Sequence, residues 1–215
     1  MGQNMTHQYV RAVPGEKITE TATHMYFVTG PFSQWYRSDF SQTLDPDALP
    51  IFFNCAEQYM MAGKALLMGD ENTFNKIMDV QYDGKNWKNT PDAQKKLGRE
   101  VSPFDVPLWE AQARKIVFRG NFAKFTQTPS LRQYILDSEK KYLVEGAVYD
   151  NVWGVKLAWD DPAILDEKNW RGTNWLGEVL MAVRNATNHC EQNVIEYKDL
   201  DMWDDTLIES FFERY

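Results

Sequence analysis

The segment from Phe53 to Met68, FNCAEQYMMAGKALLM, carries only two charged residues, Glu57 and Lys64, in an otherwise apolar or small run. A helix so poor in charge reads as buried, and that makes its one acid and one base conspicuous. Positions 57, 61, 64 and 68 fall within about 60° of one another at 3.6 residues per turn, so Glu57 and Lys64 share a stripe with two methionines. They stand roughly 10 Å apart along the axis, beyond the three- or four-residue spacing of a helical ion pair. One reading is ordinary: Asn54 caps the helix, Glu57 three residues later completes a capping box, and Lys64 extends its ammonium to water along an apolar stem. The other is that both line a pocket.

The rest of the chain is ordinary globular protein. Its 215 residues suffice for one domain with a full core, and its 43% apolar and 25% charged content excludes fibrous and disordered classes. No stretch is apolar enough for a membrane span, and MGQNMTHQYVRAVPGEK lacks the apolar core of a signal peptide, which predicts a cytoplasmic protein. Cys55 and Cys190 are the only cysteines, expected as thiols and too few for a zinc cluster. Three scattered histidines offer no metal-ligand spacing, so no metal or cofactor is expected. A net charge of -8 argues against a broad nucleic-acid face and leaves room only for a local basic pocket.

Residues 1–23 read as an N-terminal arm or added edge element, 24–190 as the domain, and 191–215 as an acidic C-terminal extension packed on it. HMYF from His24 predicts a short strand turning at Gly30-Pro31, and SQTLDPDALPIFF a loop with a short apolar end. Helices are predicted from about Asn54 to Met68, over Thr73–Val80, over DAQKKLGRE with Gly98 closing it, and from a capping Asp105 with Pro107 in the first turn. Trp109, Ala113, Ile116 and Gly120 form the buried stripe of that last helix. SLRQYILDSEKK after Pro129 is a helix, YLVEGAVYD an alternating strand, WDDPAILDEKNWRGTN a loop, and WLGEVLMAVRNATN a helix capped by Thr173 or Asn174. The class is α+β, predominantly helical, with a small sheet.

Other polar residues are open to two readings. In YDNVWG, Asp150 at a strand end sets a carboxylate beside Trp153 and Gly154, which suits a nucleobase or sugar and equally suits a plain turn. Lys124 is either a complement to its helix dipole or a ligand. Arg99 after Gly98 is either a solvated charge or a planar fork for phosphate. The eight tryptophans are generous for this length, and one or two are candidates to stack on a ligand.

In order along the chain, FSQWY (32–36), AEQYMMAGKA (56–65), LGR (97–99), PLWE (107–110), AKF (123–125), YDNVWG (149–154) and GTNWLGEVLMAVR (172–184) resemble the NADAR (YbiA-like) family. The resemblance implies a mainly helical fold with a small sheet and N-glycosidase activity on N-ribosyl bonds. Implied substrates are phosphorylated aminopyrimidine intermediates of riboflavin synthesis or ADP-ribosylated guanine in DNA. It implies Glu57, Lys64 and Asp150 as catalytic, and Trp109, Trp153, Gly154, Arg99, Lys124 and Asn174 as substrate-binding. The chain departs from the family pattern at Ala56 for serine, Gln58 for histidine, FSQWY for FSNF, and Thr173 for a basic residue. Those departures bear on substrate identity more than on chemistry.

Cleaving a ribosyl C–N bond places positive charge on the sugar and negative charge on the departing base. Carboxylates meet the first need, and an acid or cation the second. Lys64 has two roles open, as an ammonium beside phosphate or Glu57, or as an amine attacking the sugar. A module binding ADP-ribose or NAD without cleaving it, with the same residues, is the competing expectation. A purely structural role leaves Glu57 and Lys64 unexplained.

Overall fold

The computed structural model describes residues 11–12, 16–83 and 85–212. Much of the expected N-terminal arm, residues 1–10 and 13–15, lies outside them. The chain is α+β and helix-rich. A four-stranded sheet has the order β1 (Arg11–Ala12), β2 (Ile18–Glu20), β3 (His24–Phe27) and β6 (Tyr142–Glu145). The first three strands are antiparallel neighbours, whereas β6 runs parallel to β3 with Phe27 opposite Glu145. A parallel partner needs a long crossover, and the helices between residues 56 and 136 supply it.

The loop expected over SQTLDPDALPIFF instead contains an antiparallel pair, β4 (Phe40–Gln42) and β5 (Ile51–Phe53). Phe40 and Phe53 pair directly and stack at 5.7 Å. Two aromatic residues facing the core hold strands too short for an alternation signal.

Helix α1 (Ala56–Leu67) is enclosed by α2 (Glu71–Asp79), α3 (Pro91–Glu100) and α4 (Val106–Gln127), and every residue from Ala56 to Gly63 is buried. The expected capping box does not form. Cys55 is the N-cap and makes no side-chain cap bond; Asn54 donates to the Val80 carbonyl at 2.9 Å and accepts from Gln94. Gln58, one place beyond Glu57, accepts from the Asn54 amide at 2.9 Å, which releases Glu57 from that duty.

Gly98 lies inside α3 rather than ending it. A Cβ there would lie 2.0 Å from Met61 Sδ, so the missing side chain is what lets α3 approach α1. Asp105 caps α4 through the Leu108 amide, as the spacing predicts. The expected stripe of α4 widens after Ile116 into a segment buried on all sides through Thr126, with Arg119, Asn121 and Lys124 inside it.

Helices α5 (Pro129–Leu136), α6 (Trp175–Asn193) and α7 (Asp205–Phe212) complete the packing. The stretch predicted as loop over WDDPAILDEKNWRGTN holds two short 3-10 turns, Pro162–Leu165 and Glu167–Asn169. Ile208 and Phe211 of α7 enter the core, and Lys115 and Arg119 of α4 pair with Asp205 at 2.8 and 2.9 Å. Basic residues of the central helix thus meet the acidic C-terminal segment. No helix among the described residues is long and apolar enough to cross a membrane.

Candidate active site

A cleft of about 1020 Å³ opens between α1, α3, the start of α4, the 33–37 loop and the segment after β6. Glu57, Lys64, Arg99, Trp109, Asp150 and Trp153 all line it. Six of the nine residues singled out from the sequence are therefore brought together from four separate stretches of chain.

Glu57 is 4% exposed, and its Oε1 is buried with no hydrogen-bond partner. Its amide donates to the Gln34 carbonyl at 3.0 Å, fixing the first turn of α1 against the loop that carries Trp35. Burial pushes the carboxyl up to about 7, against the opposing influence of Lys95, the Trp35 indole and Arg99; Asp150 adds to the rise. A carboxyl so placed exchanges a proton near neutrality, the condition for general acid–base work.

Lys64 does not pair with Glu57. Its Nζ donates to the Gly98 carbonyl at 2.7 Å and lies over the rings of Phe104, at 4.3 Å, and Trp109, at 5.7 Å. Desolvation, with the Arg99 charge nearby, holds its proton affinity below that of an ordinary lysine. Among the described residues no carboxylate forms an ion pair with Lys64 or Arg99.

Asp150 makes the turn that its plainer reading expects, and it also lines the cleft. Its Oδ1 accepts from the Val152 and Trp153 amides at 3.1 and 2.8 Å, a turn-forming use. Its Oδ2 faces Lys95 of α3 across the cleft at 3.6 Å. Trp153 is set edge-on to Trp175, with ring centroids 5.7 Å apart.

The other three residues lie outside the lining. Lys124 has no exposed surface and donates to the Ser33 carbonyl at 2.8 Å, beneath the loop that bears Gln34 and Trp35. Burial lowers its pKa to about 7. Asn174 occupies the N-cap place of α6 in the left-handed region, φ 54°, but its side chain does not cap. It accepts from the Glu145 amide at 3.0 Å and donates to the Leu143 carbonyl at 2.9 Å, tying α6 to the end of β6. Gly177 permits this approach, since a Cβ there would lie 2.0 Å from the Leu143 oxygen. Gly154 is buried behind the lining, where a Cβ would meet the Glu145 carbonyl at 2.9 Å.

Sequence reasoning missed Glu145, the last residue of β6. It lines the cleft, keeps some surface there, and holds Oε2 shielded with no partner. Burial pushes its carboxyl up to about 8, reinforced by Asp150 and Glu57 and opposed by Lys95. An acid closing an apolar strand just before a glycine was the available signal. Lys95, one turn before Arg99 on α3, was missed as well. Among the described residues no group of His, Cys, Asp and Glu is arranged to hold a metal ion.

Residues 23–187 match the family model described as the NADAR domain. The chain is 38% identical to an N-glycosidase of Acanthamoeba polyphaga mimivirus over 153 residues, covering 71% of this chain and 85% of that protein. It is 37% identical to Protein irg-1 of Caenorhabditis elegans over 134 residues, 61% of this chain and 59% of the relative's length. The NMR structure of the Escherichia coli protein YbiA superposes with a TM-score of 0.58 at 23% identity, covering 85% of this chain and 92% of YbiA, a likeness of fold.

Proposed function

Because the chain belongs to the NADAR family, we propose that it is an N-glycosidase that hydrolyses the N-ribosyl bond of a phosphorylated ribosyl substrate. The observation that carries this reading is Glu57: a buried carboxyl with one oxygen unpartnered, poised near neutrality, in a cleft walled by tryptophans and edged by cations. The likeness to a protein named as an N-glycosidase supports the same chemistry.

In this reading Trp109 and Trp153 hold the base and sugar by their faces, where flat ligands gain most from burial. Arg99 and Lys95, adjacent on one face of α3, receive the phosphate. Glu57 and Asp150 carry negative charge toward the anomeric carbon as the C–N bond lengthens and the sugar becomes cationic. Lys64, desolvated and without an acidic partner, is the nucleophile: its amine bonds to the anomeric carbon as the base departs with the C–N electron pair and takes up a proton; the new ammonium then gives a proton to the ring oxygen as the ring C–O bond opens, and water hydrolyses the resulting open-chain sugar imine and returns the Lys64 amine.

The acidic chain favours a small metabolite, such as a phosphoribosyl aminopyrimidine, as the substrate. One observation favours ADP-ribosylated guanine as a second candidate: Lys17, Trp35, Tyr36 and Arg37 also line the cleft, aromatic surface and charge for a second base and phosphate. Two buried free thiols, Cys55 and Cys190, suit a reducing cytoplasm. Incubation with each substrate class, with free base detected by mass spectrometry, tests the reading; retention of ligand without release would favour a binding module.

A further inference from the structure

Among the described residues, Lys95 and Asp150 form the only ion pair whose two members both line the cleft. Lys95 Nζ lies 3.6 Å from Asp150 Oδ2, a charge contact longer than a hydrogen bond, with the two side chains 33% and 22% exposed. The other oxygen of Asp150 is already committed: Oδ1 accepts from the Val152 and Trp153 amides and holds the turn. Oδ2 is therefore the oxygen that Asp150 can offer to a sugar, and a cation stands against it. Lys95 and Arg99, one turn apart, are also the two cations that α3 presents to the cleft. The same ammonium thus has two claims on it, an aspartate and a phosphate.

Charge decides between them. A part-exposed ion pair of this length contributes little, whereas a phosphate offers up to two negative charges and several acceptor oxygens, shared between a lysine and the planar fork of Arg99. Glu57 and Glu145 are the other carboxyls under the influence of the Lys95 charge; Arg99 also acts on Glu57, so that carboxyl keeps a cation nearby when Lys95 moves off.

We propose that the substrate's phosphate draws Lys95 away from Asp150, so that binding the phosphate is what frees Oδ2 to face the anomeric carbon. Lys95 is then a positioning residue that acts through Asp150 as well as a phosphate contact, and part of the phosphate's binding energy is used at the reacting centre. This inference rests on the N-glycosidase reading and adds to it the release of one acid by the substrate itself.

The test uses the phosphate-free ribosyl counterpart of whichever substrate the wild type cleaves, with phosphite supplied separately, and compares kcat on the pH plateau of each protein. Phosphite is expected to raise the wild-type kcat saturably, by about threefold or more. Lys95→Met is expected to cleave the same phosphate-free substrate about three- to fivefold faster than the wild type and to ignore phosphite. A lysine that only binds phosphate would leave this kcat unchanged in Lys95→Met, and one that only supports the acids would lower it. Either result, or a wild-type kcat indifferent to phosphite, or a variant that still responds to it, overturns the exchange. Carbon NMR of the Asp150 carboxyl, assigned by its loss in Asp150→Asn, is independent of turnover. Ribose 5-phosphate should move that resonance toward its position in Lys95→Met; an unmoved resonance at saturation, or no binding of ribose 5-phosphate, overturns the exchange. A wild type that releases no base from any of the substrates would sink the glycosidase reading, while the Asp150 resonance would still decide on the exchange.

Discussion

Lys64 Nζ donates to the Gly98 carbonyl at 2.7 Å, and Gly98 is the residue whose missing side chain lets α3 settle on Met61 of α1. One contact therefore ties the base of α1 to the helix that carries Lys95 and Arg99, and turns it away from Glu57. Burial and the nearby Arg99 charge, with no carboxylate paired to offset them, set Lys64 up to lose its proton more readily than a surface lysine.

Reductive trapping checks that consequence. Borohydride added during turnover is expected to leave a covalent sugar adduct on the protein, absent in Lys64→Ala. Turnover without any adduct would return Lys64 to an electrostatic role.

The raised pKa of Glu57 also predicts how stability varies with pH. An acid whose pKa rises from 4.5 when unfolded to about 7 when folded binds more protons in the folded state between those values. Stability from this group is thus complete below pH 4.5 and is lost as pH rises through about 7. Glu57→Gln escapes the loss, so its melting temperature relative to wild type should climb between pH 4.5 and 8, by the equivalent of about 1–3 kcal/mol. Equal differences at both pH values would contradict the burial argument.

Arg99 and Lys124, the two cations expected from the family resemblance to hold phosphate, are predicted to behave differently. Arg99→Ala should weaken the stabilisation by ribose 5-phosphate and raise KM by about 10–100-fold, the range for a charged hydrogen bond. Thermal shift against ribose 5-phosphate concentration reads this directly.

Lys124→Met acts from below the cleft. Losing the bond to the Ser33 carbonyl should loosen the loop that carries Trp35, lowering the melting temperature and kcat, while phosphate affinity changes far less than in Arg99→Ala. A collapse of ribose 5-phosphate affinity in Lys124→Met with the fold intact would instead place its charge in the cleft.

What could be read from the sequence follows physical range. Asp105 before Pro107 acts through a bond three residues away, and local text suffices; Asp70 caps α2 in the same way, so that helix begins at Glu71, ahead of the expected Thr73. Asn54 and Asn174 have capping identities but spend their side chains on partners distant in sequence, Val80 and Gln94 for one and Leu143 and Glu145 for the other. The β4–β5 pair escaped notice because each strand is three residues long and is held by Phe40 against Phe53 across a polar loop. Glu57, Lys64 and Asp150 were conspicuous as charges in apolar or turn surroundings. Glu145 was less so, because an acid closing an apolar strand before a glycine is a weak signal until the fold opens the end of β6 into the cleft. Lys124 was visible as a charge in a buried helix, yet whether it faced ligand or backbone depended on where the 33–37 loop crosses α4.

The central claim is that Glu57 drives ribosyl C–N cleavage in this cleft. Wild type and Glu57→Gln should be incubated with phosphoribosyl aminopyrimidines and with ADP-ribosylated guanine, free base quantified by mass spectrometry, and binding followed in parallel by thermal shift. The account predicts base release by the wild type on at least one substrate, with Glu57→Gln still binding it and releasing base at least about 100-fold more slowly. Release by Glu57→Gln at the wild-type rate, or binding by the wild type with no release from any of these substrates, would contradict it.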